Sequence, residues 1–204
     1  MSITFYRSNG SSCALATQIA LEEAGADYKA VKLDFSAGEQ KKPAFLKINP
    51  KGRVPAMVTD KGILTETVAL LLYVAQTYPK ANLAPTDPFG IAKMQAFNAY
   101  LASTVHVNHA HKLRGARWSD DEAAHESMKK KVASNMTECA ALIESDYLEG
   151  PWVMGQQYTV ADPYLYVMES WMPGDGVDLS KFPKITAHKA AMEKRPAVQK
   201  VMAS

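Results

Sequence analysis

The sequence predicts an α/β unit of order β-α-β-α-β-β-α followed by an all-helical bundle. Three observations carry that prediction. Residues 1–79 alternate short strand-like runs with helical patterns. Residues 89–204 are nearly all helical pattern. Between them, Pro79 to Pro88 holds prolines at 79, 85 and 88, which cannot continue a helix and mark residues 80–88 as a linker.

The elements follow in order. Ile3 to Tyr6 reads as a short strand, and Asn9-Gly10-Ser11-Ser12 as a turn that starts a helix. Leu15, Ile19, Ala20 and Leu21, with Ala16 and Ala24, then form one apolar helical face, and Gly25 sits where a C-terminal glycine belongs. Tyr28 to Leu33 alternates as a second strand, so the first two strands should be parallel with a right-handed crossover. Lys41 to Ile48 is a short or irregular helix, ended by Asn49-Pro50 and Gly52. Ala56–Thr59 and Ile63–Leu64 flank Asp60-Lys61-Gly62, a hairpin signal. Glu66 to Tyr78 is a helix with Val68, Leu71, Leu72 and Ala75 on its buried side. Helical patterns continue through 89–115, 120–147, 159–172 and 183–194.

Composition excludes several classes. The 204 residues are 47% hydrophobic and 22% charged with a net charge of +2, which excludes dominant disorder. Lys and Arg are scattered, so nucleic acid is a poor partner. Two distant cysteines, Cys13 and Cys139, suit a reducing compartment and not a disulfide scaffold. The N-terminus lacks the pattern of a signal peptide, and no apolar run approaches the roughly 18 residues of a membrane span. The expected location is cytoplasmic, with no membrane association.

Cys13 lies in the first turn of the first helix, where free N–H groups and the helix dipole stabilise a thiolate. It also suits a small apolar packing role. Ser11 and Ser12 read as N-caps or as hydroxyl donors to such a thiolate. Val54-Pro55 ends a loop before a strand, with the proline cis or trans; a cis bond would turn the Val54 backbone toward a cleft. Thr65 or Glu66 caps the third helix, and the N–H groups near Thr67 form an anion site, so a carboxylate there and an ammonium on Glu66 would suit an amino-acid head group. His106, His109 and His111 sit among Asn108, Lys112, Arg114 and Arg117, a solvated helix end with no acid or cysteine nearby to complete a metal set. Thr159 and Asp162 form a capping box, with Tyr158 placed for a hydrophobic staple. Cys139 reads as core, and Trp152, Trp171 and Met172 as core or interface.

Five segments taken in order resemble the cytosolic glutathione transferases over essentially the whole chain. They are Ser12-Cys13-Ala14-Leu15, the loop from Ile48 to Pro55, Leu64-Thr65-Glu66-Thr67-Val68-Ala69, Leu101 to His106, and Thr159 to Leu165. The cysteine and the His106 segment are most similar to the bacterial beta class. The resemblance implies a thioredoxin-like α/β domain at 1–79 and an all-helical domain at 89–204 that supplies an electrophile site. It implies a cis Pro55 beside Val54, whose backbone would pair with the cysteinyl part of glutathione. Glu66 and Thr67 would hold the γ-glutamyl end, and Arg53 would also contact glutathione. Cys13 would sit beside the glutathione sulfur, with His106 pointing in from the second domain. Glutathione would be a co-substrate, with no tightly bound cofactor or metal, and a small hydrophobic electrophile its partner in a homodimer. Exposed Phe89 and Phe97 would contribute apolar surface. Disulfide or peroxide reduction through Cys13, or a non-catalytic binding role, are the alternatives. The chain departs from the beta-class pattern at Val107, where a lysine is common, and at Ala99, where an asparagine is common and Asn98 stands beside it. Ala16-Thr17-Gln18 lacks the arginine-rich first helix of the zeta class.

Overall fold

A computed structural model of the chain describes residues 2–204. Strands β1 (Ile3–Ser8) and β2 (Tyr28–Leu33) pair in parallel, with Ile3 opposite Tyr28 and Ser8 opposite Leu33. Helix α1 (Ala14–Glu23) makes the crossover. Strand β3 (Ala56–Thr59) runs antiparallel to β1 and continues through a hairpin into β4 (Gly62–Thr65), giving the order β2-β1-β3-β4. The predicted thioredoxin-like α/β half is therefore present, followed by the predicted helical half.

The segment at 41–48 divides. A 3₁₀ turn at Glu39–Lys41 precedes α2 (Pro43–Leu46), because Pro43 holds Lys42 extended at φ −74° and ψ 147°. Phe45 of α2 packs with Leu33 and Ala56 on one face of the sheet. The larger core lies on the other face, where α1 and α3 (Thr67–Thr77) cover Phe5 and Met57. In α3 the buried stripe is Thr67, Leu70, Leu71, Val74 and Ala75. The predicted Val68 and Leu72 are only half-buried, because α3 packs against α1 about one residue away from the expected face.

The linker is docked onto the helical half. Leu83 is buried, its carbonyl accepts from the Val160 amide at 2.8 Å, and Gln157 Nε2 donates to the Ala84 carbonyl at 3.1 Å. Asp87 then caps α4 (Pro88–Tyr100) by accepting from the Gly90 amide. One π-helical turn, Leu101–Val105, joins α4 to α5 (His106–Ala110). Helix α6 (Glu122–Leu142) also ends in a π turn, Ile143–Tyr147. Helices α7 (Ala161–Trp171), α8 (Pro183–Glu193) and α9 (Pro196–Met202) complete the bundle. Helix α9 lies beyond the helical patterns of the sequence, because Arg195-Pro196 reads as a helix end although proline also suits a first helical position. Phe89 is 80% exposed, but Phe97, expected at the surface, is buried against Tyr147. No helix among the described residues is long and apolar enough to cross a membrane.

The capping box of α7 extends into a buried ionic network. Asp162 Oδ2 accepts from the Thr159 amide at 2.7 Å, and the Ala161 amide donates to Thr159 Oγ1 at 3.3 Å. Asp162 Oδ1 accepts from the Val153 amide at 2.8 Å and faces His188 Nε2 at 3.2 Å. His188 Nδ1 faces Glu169 at 2.9 Å. Burial opposes a charge on His188, but Glu169 and Asp162 overcome it and push its pKa up to about 9. Burial also raises the Glu169 carboxyl.

Asp162→Ala leaves two buried N–H donors and an imidazolium without their acceptor, so it is expected to cost about 3–5 kcal/mol in denaturant unfolding. The folded state holds the His188 proton more tightly than the unfolded chain. Its contribution is therefore full below about pH 6.5 and is lost as pH rises through about 9. Thermal melts from pH 6 to 9.5 are expected to show a falling midpoint in the wild type and a flatter profile in His188→Gln.

Candidate functional site

A cleft of about 710 Å³ opens between the C-terminal edge of the sheet and the helical half. The β1–α1 loop brings Ser11, Ser12 and Cys13 to it. The loop before β3 brings Lys51, Arg53, Val54 and Pro55, and the β4–α3 junction brings Glu66 and Thr67. From the helical half come His106, His109, Arg114, Arg117, Trp118, Tyr164 and Trp171. The candidate residues Cys13, Ser12, Arg53, Val54, Glu66, Thr67 and His106 thus converge with Pro55. Thr159 and Asp162 lie apart, at the buried start of α7.

Cys13 stands at the N-terminal end of α1, half-buried. Its thiol donates to the Val54 carbonyl at 3.8 Å. The Val54–Pro55 peptide is cis. The expectation that the helix terminus stabilises a thiolate at Cys13 is corrected. Burial pushes the thiol up, and that outweighs the lowering by Thr67 and Arg114. Ser12 Oγ is buried, borders the cleft, and has no hydrogen-bond partner among the described residues. Ser11 Oγ accepts from Trp171 Nε1 at 3.1 Å, tying the β1–α1 loop to α7.

Neither Thr65 nor Glu66 caps α3 with its side chain. Lys51 takes both: its ammonium donates to Thr65 Oγ1 at 2.8 Å and pairs with the Glu66 carboxylate. Glu66 holds φ 74° and ψ 123°, a backbone conformation that costs a non-glycine residue about 1–3 kcal/mol. That conformation presents its exposed carboxylate beside the N-terminus of α3.

His106 is pushed down to about 4, first by burial and then by His109, Arg114, Arg117 and Arg53. It is neutral at pH 7 and its ring lies against Trp171, with centroids 5.2 Å apart. His109 directs Nδ1 to the buried Asp175 at 2.6 Å and stacks on Trp171 with centroids 4.2 Å apart. The residues around His109 in sequence predict a solvated cluster; Asp175, its buried partner, is distant in the chain and not legible from them. Val107 borders the cleft, whereas Asn98 is fully buried and bonds Gln95, so it does not stand in for the missing asparagine. Cys139 is buried as expected, accepting from Asn108 Nδ2 at 3.5 Å.

Residues 1–76 match the family described as Glutathione S-transferase, N-terminal domain, and residues 108–204 match Glutathione S-transferase, C-terminal domain. The chain belongs to the glutathione S-transferase family. It is 47% identical to a glutathione transferase homologue from Sulfitobacter solved with bound glutathione, covering 99% of this chain and 97% of that one at a TM-score of 0.95. A bacterial beta class glutathione S-transferase from Sphingomonas chungbukensis is 30% identical over 98% of this chain and 97% of its own, with a TM-score of 0.85. Maleylacetoacetate isomerase of Pseudomonas aeruginosa is 29% identical over 96% of this chain and 95% of its own. The family relationship therefore reaches both conjugating and isomerising relatives.

Because burial pushes the Cys13 thiol up, iodoacetamide at pH 7.5 is expected to alkylate it more slowly than free glutathione. Peptide mapping by mass spectrometry reads the rate. A rate matching the free thiol would mean that the helix terminus outweighs burial.

Proposed function

We propose that the protein is a beta-class glutathione transferase that binds glutathione in this cleft and adds its thiolate to an electrophile. The observation that carries the reading is the convergence of two helix N-termini, α1 at Ser12–Cys13 and α3 at Thr67, on the backbone of Val54 beside a cis proline. An extended peptide backbone pairs with Val54. The γ-glutamyl carboxylate docks on the amides at Thr67, and its ammonium on Glu66. Arg53 takes part in holding the remaining length. The glutathione sulfur then lies near Ser12 and Cys13.

A free thiol near pKa 8.5 is only a few per cent ionised at pH 7, so the protein must favour the anion. Ser12 supplies a hydroxyl with its hydrogen-bonding capacity unused among the described residues. Neutral His106 supplies a ring N–H, and Arg114 and Arg117 supply positive potential. The thiolate attacks the electrophilic carbon and an S–C bond forms. With an aryl chloride the chloride leaves; with an unsaturated carbonyl the π pair moves to the α-carbon, which takes a proton from water. Val107, Trp118 and Trp171 offer apolar surface to the second substrate. The reading includes a homodimer in a reducing, cytoplasmic setting, with glutathione as co-substrate and no tightly bound cofactor.

The test is glutathione addition to 1-chloro-2,4-dinitrobenzene by the wild type, Ser12→Ala and Cys13→Ala. Turnover in the wild type is expected, retained within about tenfold in Cys13→Ala, and reduced about tenfold or more in kcat/KM in Ser12→Ala as one charge-assisted hydrogen bond is lost. No turnover in the wild type overturns the transferase reading. Disulfide exchange abolished by Cys13→Ala, with no conjugation in either protein, would replace it by thiol–disulfide reduction through Cys13.

A further inference from the structure

The chain has five arginines, and they divide cleanly. Arg7 is buried and donates to the Ser204 carbonyl, and Arg195 makes a two-pronged pair with Glu23 at 2.6 and 2.9 Å. The guanidinium groups of Arg53, Arg114 and Arg117 make no hydrogen bond or ion pair among the described residues, and all three border the one cleft.

Arg114 and Arg117 are placed together by their backbone. The Arg117 amide donates to the Arg114 carbonyl at 3.0 Å around a 3₁₀ turn, Gly115–Arg117, which holds the two residues at its two ends. The turn is anchored: the Arg114 amide donates to the Ala110 carbonyl at 2.9 Å, closing α5. Gly115 packs so closely on His125 that a Cβ there would come within 2.8 Å of its ring. Two like charges, both on exposed side chains, thus border the cleft from one fixed turn. Burial and the charges of Arg114 and Arg53 pull Arg117 down from its ordinary value, as expected of cations crowded without a counterion.

Charge counting points the same way. The cleft is bordered by Lys41, Lys51, Arg53, Arg114 and Arg117 against a single carboxylate, Glu66, which Lys51 already engages. His106 is neutral and His109 is taken by Asp175. Glutathione as the thiolate brings two carboxylates, one ammonium and one sulfur anion, a net of two negative charges. Two positive charges remain unmatched, and the cations that the helical half brings to the cleft are Arg114 and Arg117, with Trp118 and Trp171 in the same wall.

We propose that the second substrate is an unsaturated or aromatic acid whose carboxylate sits on Arg114 and Arg117 while its apolar body lies against Trp118 and Trp171. The forked guanidinium matches a planar carboxylate in two-pronged contact. This rests on the transferase reading for its chemistry, but the anion site stands on the arginines alone.

The test uses a matched pair: the aryl enone 4-(3-oxobut-1-enyl)benzoate and its methyl ester, which differ in charge and little in intrinsic reactivity. Wild-type kcat/KM is expected to favour the acid about tenfold or more, the size of one charge-assisted contact, and the preference is expected to shrink with added salt. In Arg114→Gln/Arg117→Gln the acid-to-ester ratio is expected to fall toward one. A binding measurement without chemistry runs alongside. Quenching of Trp118 and Trp171 fluorescence by 4-phenylbutanoate and by its methyl ester is followed at saturating glutathione. The acid is expected to bind the wild type about tenfold tighter, and the double variant no tighter than the ester. Equal binding and equal turnover of acid and ester by the wild type overturn the anion site while leaving the transferase reading intact. Preferential acid binding without turnover of either enone overturns the transferase reading while the anion site stands.

Discussion

The cleft depends on the complete burial of one short helix. Every residue of α1 from Ala14 to Leu21 is buried, including Thr17 and Gln18. The helix is enclosed by the sheet, α3, α7 and α9 and has no solvent face. A helix so enclosed cannot rotate or slide without losing apolar burial worth about 25 cal/mol per Å². Its N-terminus, with Ser12 and Cys13, is therefore a fixed point. The Ser11–Trp171 hydrogen bond transfers that fixed point to the helical half.

The helical half is registered by a second constraint of different chemistry. Asp162 gathers the Thr159 and Val153 amides and His188 at one buried carboxylate, which sets where α7 begins. Helix α7 carries Tyr164 and Trp171 to the wall of the cleft, and Trp171 in turn carries His109. A polar network in a core costs desolvation that hydrophobic packing would not. What it gives here is a single register for the helix, because each of its donors has only one place to go.

Between these two supports the electrostatics are lopsided. Cationic side chains crowd the cleft, yet the one thiol the chain places there is raised by burial. The two facts fit a site whose anions arrive with the ligands. Desolvation dominates the buried Cys13 sulfur, whereas a ligand sulfur and carboxylates would meet hydrogen-bond donors and arginines already in place. His106 follows the same logic in reverse: burial first, and then the surrounding positive charge, keeps it neutral.

Local rules made much of this legible in advance. The order of strands and helices to residue 78 follows from period, turn residues and prolines, all short-range signals. So does the capping box at Thr159 and Asp162, whose two partners lie three residues apart. The meeting of Cys13, Val54, Glu66, Thr67 and His106 came from resemblance, since no local rule brings residues so distant in sequence together. Only the tertiary structure decided the rest. It gave Glu66 to Lys51 instead of a cap, sent Phe97 inward, and joined His109 to Asp175 and His188 to Asp162 and Glu169. Each is a contact between residues far apart in the chain, and each turns on whether burial or a partner's charge dominates at one point in space. A sequence states which groups exist and which local structure they favour. Which groups lose their water, and to whom they turn when they do, is settled by packing.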